Sequence, residues 1–264
     1  RQVPVPLPPQ LDTIIKDRDA AIALGKAFFW DMQVGVNEGY ACATCHHKAG
    51  GDSRVNFRSL HPGANGQIDI TGDELTPADF PFDASIDDIV GSIGVAPHAF
   101  LDVDALGNET GALLGDDPTA NQVTGMHSPA TVNAIFSEQQ FWDGRAQPTF
   151  NGVDIHGTNH HDDSYPSIYE INGDGQVTAV NVAINNASLA SQAVGPALNA
   201  VEMSCAFREW GHLAKKLLPR KPLALQQIAP NDSVLGEYVD NSGSFADGLT
   251  YRDLIYAAFD ERYV

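Results

Sequence analysis

The stretch Cys42-Ala43-Thr44-Cys45-His46 decides how this chain is read, because C-x-x-C-H is the attachment signature of a c-type haem. Two residues between the cysteines let one helical turn present both thiols to one porphyrin edge, where they form thioether bonds with the vinyl groups. The histidine that follows at once supplies an imidazole as proximal ligand to the iron. We therefore predict one covalent haem c held by Cys42, Cys45 and His46.

The same cysteine spacing also occurs in redox-active dithiols and in zinc sites. A zinc site needs a second pair of ligands, but the only other cysteine is Cys205, far along the chain. A dithiol motif is expected beside a βαβ pattern, which this sequence does not show. We predict that Cys205 is a buried structural thiol.

The net charge of the chain restricts the kinds of partner that it can bind. Its 264 residues carry a net charge of −19, which argues against nucleic acid or an anionic membrane surface and favours a small basic cytochrome or other electron donor. No apolar run approaches the roughly 20 residues that span a bilayer. Because haem is attached to c-type cytochromes outside the cytoplasm, we expect a periplasmic or extracellular protein whose signal peptide has been removed.

The order of helix and strand signals predicts a mainly α fold, a cytochrome c-like haem domain with long irregular loops and one β-hairpin. Residues 1–16 are predicted to be an extended arm, and residues 17–264 the haem domain, with inserts at about 50–121 and 147–186. The hairpin is expected over residues 168–184, with Asn-Gly-Asp-Gly at its tip. Helices are predicted over about 17–30, 128–138, from 188 to the Gly-Pro pair at 195–196, 207–218 and 250–259.

Seven stretches of the sequence form a pattern in a fixed order: LGKAFF (24–29), CATCH (42–46), SPATVNA (128–134), FWDGRA (141–146), QAVGP (192–196), VEM (201–203) and YRDLI (251–255). Together they resemble the dihaem cytochrome c peroxidase family, which also holds the maturation enzymes of methylamine dehydrogenase and the rubber oxygenases. The resemblance implies an N-terminal haem domain that performs peroxide or oxygen chemistry, fed with electrons by a second haem domain.

This sequence contains a single C-x-x-C-H, so the second haem domain is absent from it. We expect that second domain on a missing C-terminal part. A second chain or a single-haem relative are the alternatives.

The resemblance also implies roles for residues outside the motif. Gln192 and Glu202 match the polar pair of the distal pocket, in which a carboxyl group moves a proton and an amide orients peroxide. Trp142 matches the position between the two haems, where an indole relays electrons. Arg145 is expected to pair with a haem propionate through its planar fork.

The residue opposite His46 is less defined by the sequence. His156 is a candidate sixth iron ligand or distal acid-base residue, because its loop is expected to approach the distal haem face. Further candidates are His61, His98, His127, His160 and His161.

Calcium is a doubtful cofactor of this chain. His127 stands where the family usually has a calcium-binding asparagine, and histidine suits calcium poorly. Residues 170–181 resemble a calcium loop, but Asn181 stands where a bidentate glutamate is needed, so we predict a plain hairpin.

Three functions follow from these residues. The first is reduction of hydrogen peroxide with electrons from a small redox protein. The second is an oxygenase or oxidase of the rubber-oxygenase or protein-modifying type. The third is a non-catalytic electron-transfer cytochrome whose iron is held by His46 and His156. We favour the first, which makes the chain an oxidoreductase.

Overall fold

The computed structural model describes residues 3–48, 51–54, 59–71, 75–157 and 168–264. Its helices are α1 (Leu11–Ile14), α2 (Arg18–Trp30), α3 (Cys42–His46), α4 (Ser188–Ala193), α5 (Trp210–Leu217) and α6 (Tyr251–Ala258). Its strands are β1 (Leu60–His61), β2 (Ile89–Val90), β3 (His98–Val103), β4 (Glu109–Leu113), β5 (Ile168–Ile171) and β6 (Val177–Val180). None of the described helices has the length and apolar character needed to cross a bilayer.

Helices α2 and α6 pack against each other. Helix α2 begins where the Asp17 carboxylate accepts hydrogen bonds from the N–H groups of Asp19 and Ala20, as its sequence predicts. Helix α6 begins at Thr250, whose N–H and hydroxyl both donate to the Asp253 carboxylate. The two helices share one hydrophobic core with Leu213 and Leu217 of α5.

A buried carboxylate joins the end of α2 to α6 and to the segment between α5 and α6. Asp31, at the end of α2, accepts hydrogen bonds from the Tyr251 hydroxyl at 2.7 Å, the Leu223 N–H at 2.7 Å and the Gln33 N–H at 2.8 Å. Burial and the charge of Asp31 raise the pKa of Tyr251 far above its ordinary value. Tyr251 is therefore a neutral donor, locked between α6 and the end of α2.

The strands correct the prediction of one hairpin in a mainly α chain. The described residues form three separate two-stranded antiparallel sheets, pairing β1 with β2, β3 with β4 and β5 with β6. The hairpin predicted from Asn-Gly-Asp-Gly is present as β5 and β6, with Gly175 at a positive φ of 79° in its turn. The β3–β4 hairpin is not predicted by the sequence. Most described residues lie in turns and irregular segments rather than in helices.

Two further local predictions differ from the structure. The helix expected over 128–138 is wrong, because only Ala134–Phe136 forms a single 3-10 turn and Asn133 before it has a left-handed φ of 65°. The Ser128 hydroxyl does not cap a helix but donates to the Cys45 carbonyl at 2.9 Å. The arm predicted over 1–16 contains the short helix α1, which ends where Ile15 pairs with Phe259.

Candidate haem site

The haem motif opens onto a cavity of about 1410 Å³. One side, which we call the helical wall, comes from α2, α3, α5 and α6 and includes Leu24, Phe28, Phe29, Cys42, Cys45, His46, Leu213, Leu217 and Tyr251. The other side, which we call the loop wall, comes from irregular segments and α4 and includes Ser92, His127, Ser128, Trp142, Arg145, Gln192, Asn199 and Glu202.

The cavity fits a haem. Its volume exceeds the range of about 300–1,000 Å³ that is usual for small-molecule sites. Its helical wall is mostly aliphatic and aromatic, as a porphyrin face requires. Both motif thiols and the His46 imidazole lie on this one cavity, so a single macrocycle can reach all three.

The chemistry of the two thiols argues against the alternatives that the sequence leaves open. Burial raises the pKa of Cys42 to about 12 and the pKa of Cys45 to about 11. A redox dithiol has a lowered pKa instead. Among the described residues, no cluster of three His, Cys, Asp or Glu ligand atoms includes these thiols, as a zinc site would need. Attachment of haem is the remaining use.

The motif helix is short and is held at both ends. The Ala41 N–H donates to the Thr44 hydroxyl at 3.0 Å, which begins α3. His46, its last residue, has its ring centroid 6.3 Å from that of Phe29 on α2. The imidazole predicted as proximal ligand thus lies on the cavity, next to an aromatic side chain of the helical wall.

Arg54 supports the motif from outside, a role that the sequence analysis missed. Its Nη2 lies 3.2 Å from the Cys45 sulfur and donates to the Ile93 carbonyl at 3.0 Å. The same guanidinium forms a two-point ion pair with Asp52, at 2.9 and 2.8 Å. An Asp-x-Arg triplet a few residues after the haem motif is the sequence signal that could have indicated it.

Glu202 is the carboxyl group that the structure brings to the haem motif. Its Oε1 accepts a hydrogen bond from the Asn199 side-chain amide at 2.9 Å, and Asn199 Oδ1 accepts from the Val201 and Glu202 N–H groups. Burial raises the pKa of Glu202 above its ordinary value, and the nearby Arg145 opposes this in part. Gln192 lies on the same cavity and is half-buried.

Asn199 is a second residue that the sequence analysis missed. It lies between the QAVGP and VEM stretches, where its single side chain holds both the backbone and the carboxyl group of the acid. Sequence alone shows an asparagine three residues before a glutamate, which is also the pattern of an ordinary turn.

Trp142 and Arg145 lie at the exposed side of the loop wall. Trp142 is 68% exposed, and its indole N–H donates to the His127 carbonyl at 2.7 Å. Arg145 pairs with Asp143 at 2.9 Å and stacks 3.7 Å above the Phe141 ring. Both residues line the cavity, as the sequence predicts, but the guanidinium is already bound to a carboxylate of its own loop.

The structure does not bring His156 to the site. His156 is exposed and does not line the cavity, because the carboxylate of Asp154 and the side chain of Asn151 turn its loop back on itself. This placement gives no support to a distal ligand at His156. His160 and His161 lie outside the described residues.

The remaining histidines divide between two positions. His61 and His127 line the cavity, whereas His98 does not. The two ring nitrogens of His127 each lie 3.1 Å from a backbone carbonyl oxygen, of Gly91 and of Asp52. With both nitrogens engaged in this way, His127 joins two loops rather than facing an iron.

Comparison with protein families agrees with this geometry. The family model described as di-haem cytochrome c peroxidase matches residues 19–229. The match contains six of the seven stretches noted in the sequence, from 24–29 to 201–203, and leaves out the stretch at 251–255. A search of curated proteins found no match. A search of solved structures also found none.

Proposed function

The chain belongs to the di-haem cytochrome c peroxidase family, and from this membership we propose that it is an exported haem oxidoreductase that reduces hydrogen peroxide with electrons from a small redox protein. The observation that carries the proposal is the position of Glu202. This carboxyl group, with its raised pKa, shares one cavity with Cys42, Cys45 and His46.

The proposed chemistry needs one group that both gives and takes a proton. When bound by Cys42, Cys45 and His46, haem would supply the iron that exchanges electrons with peroxide. Reduction of one hydrogen peroxide takes two electrons from the donor and two protons, and both oxygens leave as water. Glu202 would take the proton from one peroxide oxygen and give it to the other as the O–O bond breaks, so that this oxygen leaves as the first water. A carboxyl group with a raised pKa is partly protonated nearer to neutral pH, so it can act in both directions. Asn199 holds Oε1, so the transfer is assigned to Oε2.

A smaller cavity supports access to this group. It has a volume of about 410 Å³ and shares Arg145, Asn199, Glu202 and Trp210 with the haem cavity. A molecule as small as peroxide or water would reach Glu202 from this side without crossing the apolar helical wall. Gln192, on the larger cavity, would orient the peroxide through its amide.

In the proposed electron route, electrons from the donor enter this chain at Trp142. An indole that is 68% exposed at the edge of the cavity is available to a second haem domain, a second chain or a small cytochrome. The net charge of −19 favours a basic donor. The family name implies two haems, whereas this sequence holds one C-x-x-C-H motif, so the proposal assigns the second haem to a further domain or to a second chain.

The other two functions receive less support. An electron-transfer cytochrome held by His46 and His156 needs His156 on the cavity, where the structure does not place it. An oxygenase or protein-modifying oxidase would use the same proximal residues, and no feature of the described residues favours it over peroxide reduction.

The experiment compares peroxide turnover of the haem-loaded protein and its Glu202→Gln variant, with a reduced small cytochrome c as donor. Gln keeps the shape and the hydrogen bond from Asn199 but cannot exchange a proton, so we expect turnover to fall by about 10² or more. Glu237→Gln, at an exposed position that does not line the cavity, is the matched control and keeps full turnover.

Two outcomes would contradict the proposal. The first is a native protein that neither reacts with peroxide nor oxidises the donor. The second is a Glu202→Gln variant that turns over at the native rate with an unchanged haem spectrum.

A further inference from the structure

Three carboxylates from two separate loop segments meet away from the haem cavity. Asp69 lies in one loop, and Asp87 and Asp88 directly precede β2. One carboxylate oxygen from each of the three residues lies within 4.8 Å of the other two oxygens. No described lysine, arginine or histidine forms an ion pair with any of them. Three like charges at this separation repel each other unless a cation lies between them.

The central member of this cluster is buried with an unsatisfied oxygen. Asp88 is only 6% exposed. Its Oδ2 accepts hydrogen bonds from the Asp69 and Ile70 N–H groups, both at 2.9 Å, whereas its Oδ1 is buried and has no hydrogen-bond partner among the described residues. A buried carboxylate oxygen that lacks a hydrogen-bond donor is well placed to bind a cation.

Asp87 repeats this arrangement. Its Oδ2 accepts hydrogen bonds from the Ala64 and Asn65 N–H groups, both at 2.9 Å, and its Oδ1 is likewise buried, with no partner in the part of the chain that the structure describes. The backbone amides therefore fix one oxygen of each carboxylate and leave the other for a ligand.

We propose that Asp69, Asp87 and Asp88 bind one calcium ion. Only oxygen donors are present, which suits a hard cation and not zinc. Magnesium usually keeps several waters and takes one or two carboxylates in a strict octahedron. Calcium accepts three carboxylates in an irregular geometry, and its remaining positions are open to water or to backbone carbonyls.

The ion would hold one edge of the haem site in place. The segment after Asp88 runs through β2, which pairs with β1, and His61 of β1 and Ser92 just beyond β2 both line the cavity. The three aspartates do not themselves line it. The proposal is therefore independent of the proposed peroxide chemistry, and either can fail alone.

The test titrates calcium chloride into haem-loaded full-length protein that has been stripped with a chelator, followed by calorimetry and by thermal unfolding. We expect saturable binding and a higher melting temperature with calcium. Asp88→Asn removes one charge but keeps the backbone hydrogen bonds, and we expect at least a tenfold loss of affinity for calcium. Asp83→Asn, in the same segment and exposed, is the control and binds as the native protein does.

Three outcomes of this titration would contradict the proposed calcium site. Absence of calcium binding by the native protein overturns the proposal, and so does equal affinity in Asp88→Asn, since the ion would then lie elsewhere. Tighter binding of magnesium than of calcium overturns the choice of ion. If Asp88→Asn does not fold, the exposed Asp69→Asn variant decides by the same tenfold criterion.

Discussion

The two walls of the haem cavity are built by different forces. The helical wall belongs to one hydrophobic core, in which Leu213, Tyr251 and Leu254 are almost fully buried. The loop wall is held instead by side chains that bind backbone groups, such as Asn199 to the N–H of Val201 and Ser128 to the Cys45 carbonyl. Apolar packing fixes the segment that carries the haem motif, and polar contacts fix the polar residues of the loop wall.

This difference explains why the carboxyl group of Glu202 lies on the loop wall. A helix uses its own N–H and C=O groups internally, so its interior turns offer none to neighbouring side chains. An irregular segment has backbone amides to spare, and Asn199 uses two of them to orient Glu202. We therefore expect substitutions on the helical side to affect haem retention and stability, and substitutions on the loop wall to affect reactivity.

The largest expected effect tests the attachment on the helical wall. In the double variant Cys42→Ala/Cys45→Ala, no thioether bond can form, so we expect complete loss of covalent haem. Haem staining after denaturing electrophoresis and the intact mass measure this directly. Cys205→Ala, which removes a buried thiol that does not line the cavity, is the matched control and keeps its haem. Covalent haem in the double variant would disprove the assignment.

The second prediction concerns stability behind the helical wall. Lys216 of α5 is fully buried, with its ammonium 2.8 Å from the Glu109 carboxylate and 2.8 Å from the Gly35 carbonyl. Lys216→Met keeps the apolar stem but leaves Glu109 with Arg208 as its only ion-pair partner among the described residues. We expect a loss of about 2–4 kcal/mol in the free energy of unfolding, measured by urea denaturation.

Its neighbour provides the control. Lys215 is half-exposed and lies 3.8 Å from Asp102, so Lys215→Met should change the free energy of unfolding by no more than about 0.5 kcal/mol. Equal losses in the two variants would show that the buried charges contribute nothing specific.

The smallest expected effect on stability comes from the loop wall and depends on pH. Because burial raises the pKa of Glu202, the unfolded chain loses this proton at lower pH than the folded chain does. Between the two pKa values the folded state holds more protons, so stability falls as pH rises. Glu202→Gln removes this slope. We expect variant and native protein to match at low pH, and the variant to be the more stable at alkaline pH.

Urea unfolding at a series of pH values measures this difference. A native protein whose stability is no more pH-dependent than that of Glu202→Gln would show that the carboxyl group is not desolvated. This comparison is separate from the turnover assay, because it needs no peroxide and no electron donor.

The sequence predicts best the features that depend on neighbouring residues. The start of α2 follows from Asp17, that of α6 from Thr250, and the β5–β6 turn from Asn-Gly-Asp-Gly. In each case a side chain or a glycine acts on backbone a few residues away. The haem motif is local in the same way, since both thiols and the imidazole come from one helical turn.

The sequence predicts less well the segments whose backbone is bound by distant residues. Ser128 looks like a helix cap, but its hydroxyl binds the carbonyl of Cys45, 83 residues earlier. His156 is a different case: the hydrogen bonds that turn its loop outward are local, but the sequence does not show where that loop lies relative to the cavity. Strands β3 and β4 lie in a stretch rich in turn residues, where no alternation of apolar side chains marks them.

For this protein, the sequence alone predicted a bound haem, the residues that would attach it and the family that the chain resembles, because covalent attachment needs only a short motif. Tertiary structure decided that Glu202 shares the cavity, that Asn199 and Arg54 support the site, and that His156 does not reach it. It also brought Asp69 to Asp87 and Asp88. Where these loops lie relative to the haem motif and to one another depends on residues far apart in sequence, so these placements exist only once the helical core has set the positions of the loops.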